Sequence, residues 1–233
     1  MSLTSQLLEL KGIVLDLLFP SFCIGCGREG SLLCSSCLGS LPRIEPPFCV
    51  KCGKPLDKGN LCLDCEQEPS QIDGIRSPFH FDGVVREAVH QLKYKNLKAI
   101  VLPLAQLMAE YLQDNPLPCD VLVPVPLHHR RIRERGYNQS SLLARELGRL
   151  VSLPVVEDSL IRKVNTPPQT RMSAEERKKN VSEAFSCDGR LRDKAVLLID
   201  DVATTGATLE SCAIALKEAG AVSVWGLVLA RGA

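Results

Sequence analysis

The sequence predicts an α/β protein, a parallel sheet flanked by helices, preceded by an N-terminal unit organised by metal. Two apolar runs, Val121-Leu122-Val123-Pro124-Val125-Pro126 after Asp120, and Val196-Leu197-Leu198-Ile199, are hydrophobic throughout instead of alternating, as strands buried on both faces of a parallel sheet are. Each is followed by a polar loop and then a helical apolar repeat, the alternation that builds such sheets. Ahead of them, four Cys-x-x-Cys pairs crowd the stretch from Cys23 to Cys65.

A chain of 233 residues suffices for one sizeable α/β domain and a small appendage. With 28 Lys and Arg against 27 Asp and Glu, a global electrostatic attraction to nucleic acid is excluded, and any basic surface must be local. No apolar run reaches the length of a membrane span. The first residues lack the basic start of a secretory signal, and Glu9 and Asp16 interrupt their apolar positions. A cytoplasmic location is therefore expected, where clustered cysteines point to metal before disulfides.

The chain divides on composition into residues 1–20, 21–68 and 69–233. In the first segment Leu3, Leu7, Leu10, Val14, Leu17 and Leu18 predict one amphipathic helix ended before Pro20, a packing helix because Lys11 is its only lysine. The second holds Cys23/Cys26, Cys34/Cys37, Cys49/Cys52 and Cys62/Cys65. Two such pairs supply the four thiolates of a tetrahedral zinc site, so eight cysteines make two Cys₄ sites. The short gaps favour sequential pairing, with an interleaved arrangement open. The segment is too poor in apolar residues to fold otherwise and has no open ligand position, so both zinc ions are expected to be structural.

Pro69-Ser70 marks the third segment. Ile75 to Phe81 suits a short strand, Val84 to Leu92 a helix, and Lys93-Tyr94-Lys95-Asn96 a turn able to meet an anion. Leu97 to Leu112 predicts a longer helix with Leu102, Ala105, Met108, Ala109 and Leu112 inward. After the first apolar strand comes a basic loop, His128 to Gln139, which includes Arg130, Arg131, Arg133, Arg135, Gly136, Tyr137 and Asn138. Guanidinium groups at a strand's C-terminal end fork onto phosphate oxygens. His128 and His129 are not evident ligands or bases. A helix over Leu142 to Leu150 follows, then a short strand or two within Pro154 to Ile161. The polar, proline-broken run Arg162 to Arg171 is expected to be a mobile arm, and Ser173 with Glu176 forms a capping box for a short helix through Arg177 to Asn180. Ala184-Phe185 reads as a short buried strand and Val222 to Leu229 as the last. Cys119, Cys187 and Cys212 lack paired partners and read as packing thiols.

The most specific signal is Asp200-Asp201-Val202-Ala203-Thr204-Thr205-Gly206-Ala207-Thr208, between the second apolar strand and a helix whose apolar positions run from Leu209 to Ala219. Open α/β sheets bind ligands where a strand ends and a helix begins. Unpaired amides and the helix dipole favour an anion there. Gly206 with Ala203 and Ala207 admits a phosphate close to the backbone, and Thr204, Thr205 and Thr208 add hydroxyl donors. The two acids repel a phosphate but accept from sugar hydroxyls or sit near Mg²⁺. A P-loop is excluded, since no G-x-x-x-x-G-K-[ST] run exists. A receiver domain would place its acidic pair near its start, with more chain following.

This stretch resembles the phosphoribosyl pyrophosphate (PRPP) motif of type I phosphoribosyltransferases. The whole order of motifs resembles the ComF family, which joins a double zinc ribbon to a phosphoribosyltransferase-like domain. The residues that carry the match are Pro124-Val125-Pro126-Leu127, Arg135-Gly136-Tyr137-Asn138-Gln139, Gln169 with Arg177 and Asn180-Val181, and the acidic loop itself. The resemblance implies Asp200 and Asp201 on the ribose and Ala203 through Thr208 on the 5′-phosphate. It implies the basic loop (Arg130, Arg131, Arg133, Arg135, Tyr137, Asn138) on pyrophosphate or a DNA phosphate. Arg162, Lys163 and Arg171 on the arm are the candidates to act at the reacting centre, with Mg²⁺ accompanying PRPP. It implies a role in DNA uptake during natural competence, with single-stranded DNA and uptake proteins as partners. The alternative is a phosphoribosyltransferase of nucleotide salvage type with an unidentified acceptor.

Overall fold

The structure, a computed structural model, describes residues 20–163 and 184–232. The helix expected before Pro20, Arg171 and the capping-box helix lie outside the described residues.

A five-stranded parallel sheet forms the centre. β1 (Gly74–Arg76) and β2 (Phe79–His80) both lie along one side of β7 (Ser223–Arg231), which pairs with β6 (Ala195–Ala203), which pairs with β3 (Val121–Pro124). The register sets Val121 opposite Val196 and Ala203 opposite Arg231. β6 is thus an interior strand, and Val196, Leu197, Leu198 and Ile199 are fully buried because helices cover both faces. On one face pack α3 (Gly83–Tyr94), α4 (Val101–Asp114) and α6 (Gln139–Val151), with Leu92, Leu104, Met108, Leu143 and Leu147 at the core. On the other packs α7 (Ala207–Glu218), through Leu209, Cys212 and Leu216.

Several expectations are refined. The long helix expected from Leu97 begins as a 3₁₀ turn at Lys98–Ile100 and becomes α-helical at Val101, with Pro103 in the first turn, where a missing N–H is harmless. Leu102, expected inward, is exposed, because burial falls on Val101, Leu104, Ala105 and Met108 one step around the helix. The basic loop is partly helical: α5 (His129–Arg135) ends at Gly136 in the left-handed conformation. Leu160–Arg162 (β4) and Phe185–Cys187 (β5) pair antiparallel as a separate two-stranded sheet. A lone parallel bridge joins Val155 to Leu122.

The cysteine-rich segment contributes two one-turn helices, α1 (Ser35–Gly39) and α2 (Leu63–Gln67), each just after a cysteine. Its second half is stitched to the sheet edge. Ile75 N–H donates to Lys51 O at 2.7 Å, and Arg76 Nη1 donates to Val50 O at 2.9 Å. The Arg76 guanidinium lies over the rings of Phe48 and Trp225, at 5.5 and 5.0 Å. Gly53 permits this contact, since a β-carbon there would meet Ile75 O at 2.6 Å.

Candidate functional site

The eight cysteines resolve into two sets, Cys23/Cys26/Cys34/Cys37 and Cys49/Cys52/Cys62/Cys65, with all sulfurs of a set within 4.8 Å of one another. Pairing is sequential. Cys26 and Cys34 Sγ lie 3.6 Å apart, and Cys52 and Cys62 Sγ 3.7 Å. A tetrahedron of thiolates around zinc at ~2.3 Å has an edge of about 3.8 Å, so the cages fit that ion. Burial raises the Cys23 thiol, but backbone N–H groups of Cys34, Cys26 and Gly25 outweigh it and bring it to about 6. Cys37, with Cys23 beside it, is pushed up to about 12. Four adjacent thiolates repel one another until a cation joins them. Between the cysteines, Leu33 and Leu41 are buried against the core of the sheet domain.

The second site lies at the C-terminal ends of the sheet strands. Both acids belong to β6 itself and, being consecutive in a strand, point to opposite faces. Asp201 is buried. It pairs with Lys93 at the end of α3 and accepts from Gln139 Nε2 at 3.1 Å. Asp200 is half-buried and accepts from Ser140 Oγ at 2.6 Å. Burial, reinforced by the charge of Asp201, pushes Asp200 up to about 7, against the opposing pull of Ser140 and Lys93. Beyond the strand the chain turns through exposed Thr204 and Thr205 to Gly206, which caps α7 with φ +83°. Thr205 Oγ1 accepts from Ala207 N at 3.3 Å, and Ala207 and Thr208 are exposed at the helix start. The one acid of that first turn, Glu210, is drawn off. Its carboxylate accepts from Ser70 Oγ at 2.6 Å and from Gln71 N at 2.7 Å, leaving the helix N-terminus electropositive.

The basic helix divides into inward and outward parts. Arg130, Arg131 and Arg133 are exposed, Arg130 in an i,i+4 pair with Glu134. Arg135 donates to Gln139 Oε1 and lies over the Tyr94 ring at 5.6 Å, so Arg135, Gln139, Asp201 and Lys93 form one chain of contacts. Two residues expected at phosphates are otherwise engaged. Tyr137 is buried and its hydroxyl donates to Leu92 O. Asn138 caps α6, accepting from Ser140 N at 3.1 Å and donating to Val125 O at 3.0 Å. Both shape the loop instead of offering it ligands. His128 is also buried and caps α5 through Arg130 N; burial, aided by His129, lowers its pKa.

On β4, Arg162 lies over Phe185 at 5.4 Å. Arg162, expected to open a mobile arm, is instead the last residue of β4, held opposite Phe185; burial lowers its pKa, the charge of Arg131 adds to this, and Cys212 and Asp200 oppose it. Lys163 is exposed. Ser140, in the first turn of α6, carries no signal in the sequence; Gln139 is legible only as part of the family-matching run and Lys93 only as part of a turn able to meet an anion, neither as a partner of the acids. Their spacing to the acids exists only through the fold.

A model of the phosphoribosyl transferase domain matches residues 90–232, and one of the double zinc ribbon domain matches residues 14–66. Competence protein F of Haemophilus influenzae is 33% identical over 211 residues, covering 85% of this chain and 90% of that protein. DNA utilization protein YhgH of Escherichia coli K12 is 31% identical over 219 residues, covering 88% and 96%. Competence protein ComFC of Bacillus subtilis is 30% identical over 207 residues, covering 85% and 84%.

Proposed function

The chain belongs to the competence protein F family, a double zinc ribbon joined to a type I phosphoribosyltransferase-like domain, and from that premise we propose that it binds PRPP with Mg²⁺ and serves the cytoplasmic handling of single-stranded DNA. The observation that carries the reading is the meeting of the Asp200-Asp201 pair with the electropositive start of α7 at the end of an interior strand. Main-chain amides from Gly206 to Thr208 hold the 5′-phosphate, and Thr204 and Thr208 add hydroxyls. Asp200 accepts from the ribose hydroxyls, while Lys93 and Gln139 fix Asp201 behind it. With Asp201 so tied, one carboxylate is left for a cation, and one carboxylate plus ligand phosphates is the donor set Mg²⁺ takes. The ion would supply charge neutralisation at the pyrophosphate. Arg131 and Arg162, whose charges are felt together with that of Asp200, are the cations this reading gives to the pyrophosphate.

The names of the relatives, competence and DNA utilization, supply the DNA half of the proposal. Exposed Arg130, Arg131 and Arg133 offer phosphate contacts, and Tyr94, 67% exposed, offers a ring for a base. Tyr137 is withdrawn from that role by its burial. No described helix is long and apolar enough to cross a membrane. Calorimetric titration of the zinc-loaded chain with Mg-PRPP, with a short single-stranded oligonucleotide, and with both together tests the proposal. Saturable heat with each supports it; competition between them means shared arginines. Absence of heat with PRPP at every Mg²⁺ concentration removes it.

A further inference from the structure

Arg231 ends β7, directly across the register from Ala203, where β6 gives way to the Thr-Thr-Gly loop. Its backbone is pinned on both sides. Its carbonyl accepts from Phe81 N at 2.7 Å, and the next amide, Gly232 N, donates to Ala203 O at 2.8 Å. The residue is only 5% exposed, yet Nε and Nη1 have no hydrogen-bond partner. No ion pair among the described residues includes it. Guanidinium cannot shed its proton, and a buried cation without a counter-ion is strongly unfavourable. Position tells what is missing. Nη1 lies 3.8 Å from the point a β-carbon on Gly206 would occupy, beside the residue that caps α7. The dipole of a twelve-residue helix and a fixed guanidinium therefore converge on one spot, and Glu210, the acid of the helix's first turn, is committed to residues 70–72.

We infer that Arg231 is a phosphate anchor: with the leading amides of α7 it completes a subsite for a phosphomonoester dianion, the 5′-phosphate of a phosphorylated pentose. The inference rests on the ribose-phosphate reading above and adds to it a residue outside the acidic loop, the basic helix and the arm. A dianion answers two positive features at once, whereas a neutral sugar answers neither. The anchor also explains why a cation is tolerated inside the sheet's end: the ligand is its counter-ion.

The test compares wild type, Arg231→Met and Arg231→Lys, all zinc-loaded full chains. The probes are ribose 5-phosphate, unphosphorylated ribose and Mg-PRPP, read by calorimetry and by thermal unfolding. Wild type is expected to bind ribose 5-phosphate far more tightly than ribose. Arg231→Met should lose roughly 10- to 100-fold in ribose 5-phosphate affinity, the scale of one charged hydrogen bond. It should unfold no earlier than wild type without ligand, since the change deletes an unanswered charge; Arg231→Lys should keep most of the affinity. If Arg231→Met unfolds early, Arg231→Lys decides: retained affinity supports the anchor, lost affinity makes Arg231 a packing residue and overturns it. Equal ribose 5-phosphate affinity in wild type and Arg231→Met overturns the anchor and leaves the PRPP reading standing, as does a wild type that takes Mg-PRPP but not ribose 5-phosphate. A wild type that takes neither phosphorylated sugar overturns both.

Discussion

Lys93, at the end of α3, closes an ion pair with Asp201 of β6, with side chains 22% and 3% exposed. The helix that packs behind the sheet thereby sets one acid of the candidate ribose site. Removing one member of a buried pair leaves the other charged and unanswered. Lys93→Met is expected to cost about 3 kcal/mol, the lower end of such losses because the lysine retains some water. Lys93→Met combined with Asp201→Asn should recover much of that. Urea unfolding of the three proteins measures it.

The second prediction concerns pH. Asp200 titrates at about 7 in the folded chain, against about 3.9 when unfolded. Between those values the folded state holds a proton the unfolded state has released. The stability contributed by protonated Asp200 is present below about pH 4 and is lost as pH rises through about 7. Asp200→Asn has no such loss, so its stability relative to wild type should rise by about 2 kcal/mol between pH 5 and pH 8. PRPP affinity should run the other way, rising toward pH 8 in wild type because a carboxylate accepts from ribose hydroxyls and its acid form does so poorly. Denaturant titrations and calorimetry at the two pH values check both signs.

Gly206→Ala is the third. At φ +83° an alanine is strained, and its β-carbon would sit 2.9 Å from Ile75 Cδ1. The expected stability cost is about 1 kcal/mol. Ribose 5-phosphate affinity should fall by tenfold or more, since the amides that follow are re-aimed. A variant that binds as wild type does would separate the loop from the phosphate.

Most of the architecture was legible in the sequence because its signals are local. Unbroken apolar runs at Val121 and Val196 read as strands buried on both faces, and four Cys-x-x-Cys pairs so close together point to tetrahedral metal cages before disulfides or an iron–sulfur cluster. Sequential zinc pairing, left open by spacing, is decided by the sulfur distances. What was not legible depends on distance in space. Tyr137 looked like a ligand because arginines and a glycine surround it, yet its ring reaches the core and its hydroxyl ends at Leu92 O. Gln139 closes the basic loop in the sequence and Ser140 carries no signal there, yet the turn made by Gly136 and Asn138 aims one at each acid. Arg231 gave no sign at all, because an arginine after an apolar strand normally marks the return to solvent.

The contact between ribbon and sheet gives the fourth prediction. The amide of Ile75 donates to Lys51 O within the Cys49/Cys52 knuckle, and the Ile75 side chain lies against Gly206. Cys52→Ser weakens one cage and should free that amide. Hydrogen exchange at Ile75 is expected to quicken by tenfold or more while Leu122 and Leu197, both fully buried, keep their protection. Unchanged exchange at Ile75 would mean the knuckle holds its shape without its ion.

The most direct measurement is calorimetric titration of Mg-PRPP into wild type and into the Asp200→Asn, Asp201→Asn double variant, with circular dichroism confirming that both are folded. The account predicts saturable one-site binding by wild type, at least tenfold weaker binding by the variant, and single-strand affinity that survives the change and falls linearly with log salt. PRPP binding of equal strength in both proteins, or no binding in wild type at any Mg²⁺ level, would contradict it.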